Sequence, residues 1–215
     1  AGIIVGVVTL TGLGLKFSSI VIEYAGGSLL LTAIFTALVV WVIGLAVPVT
    51  ASYIICAVIA APALIKLGVP DFAAHMFIFY YSILSEVSPP TALSPFAAAA
   101  LTGGDPYKTT MQAWKYTLPA FLVPFNFTLH PDGVALLLKG SPAGIVWTFA
   151  TALVGIFALA AGMDGWMFKK ATWYEKAILI VAGLALVYPS WIYDVTGLAL
   201  VGLAVFSQKV LRKND

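Results

Sequence analysis

The chain has 215 residues, 61% of them hydrophobic and only 9% charged, with a mean hydropathy of +1.03. Soluble domains carry about 25% charged residues, so this composition excludes one. Apolar segments recurring to the C-terminus exclude a lone secretory signal, and their continuity excludes a transmembrane β-barrel. A formal charge of +2 gives no footprint for nucleic acid, and the single Cys56 excludes an internal disulfide and reads as a small packing residue.

An all-α polytopic membrane protein is the expectation. The chain begins Ala-Gly-Ile, apolar and without methionine, and reads as the C-terminal piece of something longer. Residues 1–22 are apolar apart from Lys16, and Gly2 and Gly6 form a G-x-x-x-G pair suited to close helix packing. Residues 28–65 form the longest apolar run. As one straight helix it would measure about 57 Å, nearly twice the ~30 Å hydrocarbon core. It must therefore bend, and Gly44–Ser52 is where it can. Two arms of about 15–16 residues fit a re-entrant hairpin better than two crossings.

A polar turn follows at 66–71, with Asp71 as a helix N-cap. The next run, 72–102, is interrupted by Ser-Glu-Val-Ser-Pro-Pro-Thr at 85–91. Pro89 and Pro90 lack N–H groups, so the helix breaks near Ser88 and frees carbonyls such as those of Ser85 and Glu86. In lipid, freed carbonyls must find partners, a bound cation or a polar cavity among them. Asp105 then caps a helix that starts at Pro106, and 107–118 reads as an interfacial segment. Residues 118–130 dip back with kinks at Pro119 and Pro124, and 130–133 turn. Residues 142–163 are a plain span, and 177–208 a hairpin turning at 188–191. A basic loop (Lys169, Lys170, Lys176) and a basic tail (Lys209, Arg212, Lys213) would face the cytoplasm.

Two proline-marked breaks in long apolar runs point to a transporter site near the membrane midplane. Sodium is a hard cation that takes several oxygens, which carbonyls at a break and the hydroxyls of Thr50, Ser52, Ser88 and Thr91 can supply. Half-helix N-termini also favour an anion. Glu86 is an ionisable residue at membrane depth and so a functional candidate, its plain alternative being a protonated or capping carboxylate. His75 reads as a packing histidine. Asn126 heads a glycosylation sequon in an apolar stretch, where it carries no weight. Trp114, Tyr116, Trp166, Trp173, Tyr174, Trp191 and Tyr193 form an interfacial belt. No nucleotide-binding, hydrolase or metalloprotease motif is present, and no enzymatic activity or organic cofactor is expected.

Gly44-Leu-Ala-Val-Pro-Val-Thr-Ala-Ser-Tyr53 resembles the G-M-G-L-P-T-T-A-A-Y segment of fused TRAP (tripartite ATP-independent periplasmic) transporter permeases. Ala61-Pro-Ala-Leu, Gly68-Val-Pro and Ala73-Ala-His75-Met-Phe77 resemble its A-P-A-L, G-V-P and A-A-H-L-F stretches, and Ser88-Pro-Pro-Thr-Ala-Leu93 its T-P-P-V-A-L. Gly104-Asp-Pro106, Gln112-Ala-Trp114 and Phe121-Leu-Val-Pro-Phe125 continue in register, and the likeness extends more weakly to the C-terminus.

The resemblance implies an elevator-type secondary transporter of the bacterial or archaeal inner membrane. Sodium would be the coupling ion, and an extracytoplasmic solute-binding receptor would deliver an organic-acid-type substrate. The chain resembles only the second inverted repeat (1–140, hairpin tip 44–52, broken helix 85–93) plus C-terminal membrane helices (141–215). The first repeat and the small membrane subunit are expected upstream. Carried over, Gly44, Val47, Thr50, Ser85, Ser88, Pro89 and Thr91 are ion-binding candidates. Thr50, Ser52, Glu86 and Pro90 are substrate-binding candidates. Val49 stands where the family has Thr, which removes one oxygen, and Glu86 lies outside the pattern. The alternative is a non-transporting membrane scaffold or assembly subunit, since half of a pseudo-symmetric site is absent.

Overall fold

The computed structural model describes residues 2–211. It is helical throughout, without strands among the described residues, and separates into two compact units, one ending at Thr117 and one beginning at Leu118.

In the first unit, α1 (Gly2–Leu10) and α2 (Leu13–Tyr24) are bent by 72° at Gly12, whose φ of +64° suits glycine. Nothing lies within 4 Å of a Cβ placed on Gly2 or Gly6, so the G-x-x-x-G pair is not a packing seam among the described residues. Gly14 is the close-packed glycine instead, set against the Val58 carbonyl. Gly26 and Gly27 turn the chain, and Ser28 caps α3 (Leu29–Gly44). After the break at 45–48 come α4 (Val49–Ile59) and α5 (Ala61–Lys66). These form one 18-residue stretch long and apolar enough to cross a membrane, longer than the arm expected from the sequence.

α6 (Asp71–Leu84) starts after Pro70, which holds the cap position. Asp71 is thus the first helical residue and not the N-cap expected, where it still complements the helix dipole. Ser85–Val87 tighten into a 3-10 turn, the Pro89–Pro90 peptide is cis, and α7 (Leu93–Thr102) begins only after Ala92. Gly103 closes α7 with φ +68°. Asp105 Oδ1 then accepts from the Lys108 N–H at 2.8 Å, capping α8 (Pro106–Thr117) as its sequence requires.

In the second unit, Pro119 lies in a 3-10 segment. Pro124 sits in the first turn of α9 (Val123–Leu129), where its missing N–H costs nothing, so it starts this helix and does not kink one. Asn126 is buried and donates Nδ2–H to the Val187 carbonyl at 2.8 Å, a structural role. Pro131–Leu137 form a 3-10 segment, and Ser141 caps α10 (Pro142–Asp164), a 23-residue helix long enough to span.

α11 (Trp173–Val187) and α12 (Trp191–Phe206) form the hairpin expected at 188–191, starting earlier than 177. Glycines make the α10–α11–α12 seam. Gly155 faces Leu186 and the Gly183 carbonyl, Gly162 faces Ile180 and the Lys176 carbonyl, and Gly197 faces Leu186 and the Ala182 carbonyl. Small residues let helices approach where lipid offers no hydrophobic drive. Outward, Val146, Phe149, Leu153 and Phe157 of α10 are exposed apolar side chains suited to lipid.

At the far end of the hairpin, Glu175 accepts from the Thr172 N–H (2.8 Å) and the Ser207 hydroxyl (2.7 Å). Gln208 Oε1 accepts from the N–H groups of Phe168 and Lys169. Lys209 Nζ lies 4.3 Å from the Phe168 ring centre. The basic loop and the start of the basic tail therefore share one end of the hairpin. Arg212 and Lys213 lie outside the described residues.

Candidate functional site

The two breaks meet inside the first unit. α3 ends at Gly44, which is fully packed, and a Cβ there would fall on Ser85 Oγ, 2.7 Å from Ser85 Cβ and 3.3 Å from Ser52 Oγ. Only glycine allows this approach of the α3 end to the 3-10 turn and to α4. Ser52, Ser82, Ser85 and Ser88 are all 0% exposed, so four hydroxyls are buried in one neighbourhood of apolar helices.

Their protons are largely committed. Ser82 Oγ donates to the Ile78 carbonyl (2.9 Å), Ser85 Oγ to the Ser82 carbonyl (2.7 Å) and Ser88 Oγ to the Leu84 carbonyl (2.7 Å). Ser52 and Ser82 hydroxyls lie 3.3 Å apart. A hydroxyl has one proton, and Ser82 has given its own to Ile78, so Ser52 is the donor of that pair. A serine that donates to backbone keeps its lone pairs, which is the state in which it can coordinate a cation.

The break also settles its own backbone. The Ser88 N–H donates to the Ser85 carbonyl at 3.1 Å and the Ala92 N–H to the Ser88 carbonyl at 3.0 Å. The Ser85 carbonyl is therefore not left free as expected. The 3-10 turn replaces the α-helical partner that Pro89 cannot supply. Ala92 takes the left-handed region (φ +33°) to turn the chain into α7.

Beside this cluster is a cavity of about 260 Å³ lined by Gly44–Pro48, Glu86, Thr91 and Leu93. It brings Gly44, Val47, Glu86 and Thr91 together. Ser52 and Ser85 adjoin it through Gly44. Ser88 is buried behind it, Pro89 is half-buried, and Thr50 and Pro90 are exposed and outside the lining. Glu86 is the charged residue of the lining. The cavity is smaller than the ~300–1,000 Å³ of ordinary ligand pockets.

Ser82, Thr32 and Thr36 were not anticipated. Thr32 and Thr36 stand eight and four residues before Val40 on the α3 face that ends at Gly44, buried and with hydroxyls that have no hydrogen-bond partner. The i, i+4 spacing from Thr32 to Gly44 was the available signal. His75 packs, its Nδ1 3.2 Å from the Tyr53 hydroxyl.

Residues 145–206 match a family described as a domain of unknown function (DUF3394). No curated protein and no solved structure matches the chain. Residues 1–132, which contain both breaks and the cavity, match the family described as tripartite ATP-independent periplasmic transporter, DctM component, and the chain belongs to that family of non-enzymatic membrane permease components.

Proposed function

We infer that this permease component is the second transport repeat of a sodium-coupled uptake system, with 141–215 as appended membrane helices. The observation that carries the reading is the meeting of Gly44, Ser52 and Ser85 beside the cavity that holds Glu86 and Thr91. Ser52 and Ser85 oxygens, with carbonyls of the 44–48 break, are the sodium ligands in this reading, and Ser88 supports the turn from behind. Thr91 and Glu86 face the transported solute. The break at 44–52 acts as a re-entrant hairpin tip, and an elevator movement of this repeat carries the solute across.

An organic-acid substrate finds no cationic side chain in the lining, where Glu86 is the charged group. Its counter-charge comes from the bound sodium and from the partner repeat. An extracytoplasmic receptor delivers it, and the small membrane subunit completes the assembly in the inner membrane.

The test is uptake of radiolabelled organic acids by the complete transporter and receptor in proteoliposomes. Uptake should follow an imposed inward sodium gradient, and Ser52→Ala and Ser85→Ala should raise the sodium concentration needed for half-maximal rate. Uptake indifferent to sodium overturns the coupling. Uptake driven by pH instead reassigns the ion to a proton carried by Glu86.

A further inference from the structure

The second unit contains a larger cavity, about 390 Å³, where the start of α10, the 188–190 turn and the first turn of α12 come together. Asp194 lines it and is only 4% exposed. One carboxylate oxygen is accounted for, because the Trp147 indole N–H donates to Oδ2 at 2.8 Å. The other, Oδ1, is buried and accepts no hydrogen bond. A buried acceptor left without a donor is destabilising, and the tie to Trp147 needs only Oδ2.

The surroundings say what would meet Oδ1. Trp147 and Trp191 both line the cavity, their rings 5.8 Å apart and tilted by 32°. Indole faces attract cations, more strongly than other rings. Asp132 and Lys139 lie on the exposed rim with opposite signs, so Asp194 sets the sign of the interior. The volume falls in the range of small-molecule sites, larger than a bare ion needs. A carboxylate oxygen seeking a donor, beside two indoles, selects a group that is cationic and carries N–H bonds.

We propose that the C-terminal unit holds a second binding site, for an organic ammonium group, in which Asp194 Oδ1 accepts from the ammonium and the Trp147 and Trp191 rings flank it. The ammonium can be borne by a free amine or by the headgroup of an aminophospholipid. The site is independent of the sodium reading, since its residues are all in the second unit.

The full 215-residue chain in phosphatidylglycerol nanodiscs is titrated with ethanolamine hydrochloride, with ethylene glycol as the neutral counterpart and sodium chloride as the ionic control. Intrinsic tryptophan fluorescence and the thermal midpoint are read. Ethanolamine should give a saturable response and the controls none. Asp194→Asn keeps an acceptor for Trp147 and removes the charge, and should weaken binding roughly ten- to hundredfold, the equivalent of one charge-assisted hydrogen bond. Should that variant fail to fold, Trp191→Leu decides, because Trp191 is 69% exposed and outside the core. It should weaken ethanolamine in the same direction.

In nanodiscs containing phosphatidylethanolamine, a shift of the titration to higher ethanolamine identifies the headgroup as the natural occupant, and an unchanged titration identifies a free amine. No saturable response in phosphatidylglycerol, an equal response to ethylene glycol or sodium chloride, or full affinity in the folded variants overturns the site.

Discussion

Gly44 and Ser85 lie so close that one methyl group on the glycine would overlap the serine hydroxyl. The end of α3 and the 3-10 turn after α6 are thereby fixed against each other, and with them the walls of the 260 Å³ cavity. Gly44→Ala should cost about 1–3 kcal/mol, the range for an added methyl in a packed interior, seen as a lower unfolding midpoint in detergent. Adding Ser85→Gly to that variant removes the colliding group. It should restore the midpoint while leaving the sodium dependence of uptake weakened, because the oxygen is gone. Recovery of both together would assign Ser85 a packing role alone.

The hydrogen-bond order in the serine cluster predicts an asymmetry. Ser52→Ala removes a donor and leaves Ser82 its bond to Ile78. Ser82→Ala leaves the buried Ser52 hydroxyl only the weakly accepting Cys56 sulfur as a partner, a loss of about 1–3 kcal/mol. Ser82→Ala should therefore destabilise more than Ser52→Ala. Thr50→Ala, exposed and outside the cavity lining, should stay within about 0.5 kcal/mol. Chemical denaturation of the three variants gives the ranking, and equal losses for Ser52 and Ser82 would reverse the donor assignment.

The locations of the breaks were legible because proline and glycine act locally. Pro89 and Pro90 had to end a helix, Gly44 through Pro48 had to interrupt one, and Asp105-Pro106 had to begin one. That the two breaks touch was not legible from these residues alone, since contact between Gly44 and Ser85 depends on how α3 packs on α6. The details of satisfaction were hidden for a similar reason. A freed Ser85 carbonyl follows from the prolines, yet the chain tightens to a 3-10 turn and spends it on the Ser88 N–H. Thr32, Thr36 and Ser82 were overlooked because threonine and serine in an apolar helix look incidental until a partner helix buries them.

Ala92 turns the chain out of the break at φ +33° with its methyl fully buried. Left-handed backbone costs an L-residue roughly 1–2 kcal/mol, and the buried methyl returns about 0.8 kcal/mol. Ala92→Gly should hence be close to neutral in thermal midpoint. Ala92→Val adds a branched Cβ where positive φ tolerates it least and should lower the midpoint clearly. Equal tolerance of both would mean that the turn is not held by its surroundings.

Glycine spacing alone does not locate close helix packing in this chain. Gly2 and Gly6 have the dimer-like spacing but open space around their Cβ positions, whereas a Cβ on Gly183 would meet the Leu159 side chain and lie 2.8 Å from the Gly155 carbonyl. A side chain can rotate away, but a backbone oxygen in a packed helix cannot. Gly183→Ala should consequently separate α10 from α11 and lower the unfolding midpoint in detergent. Gly6→Ala, on an open helix face, gains helix propensity of up to about 1 kcal/mol and should leave the midpoint unchanged or raise it. A larger loss from Gly6→Ala than from Gly183→Ala would move the close-packed seam from the α10–α12 bundle to α1.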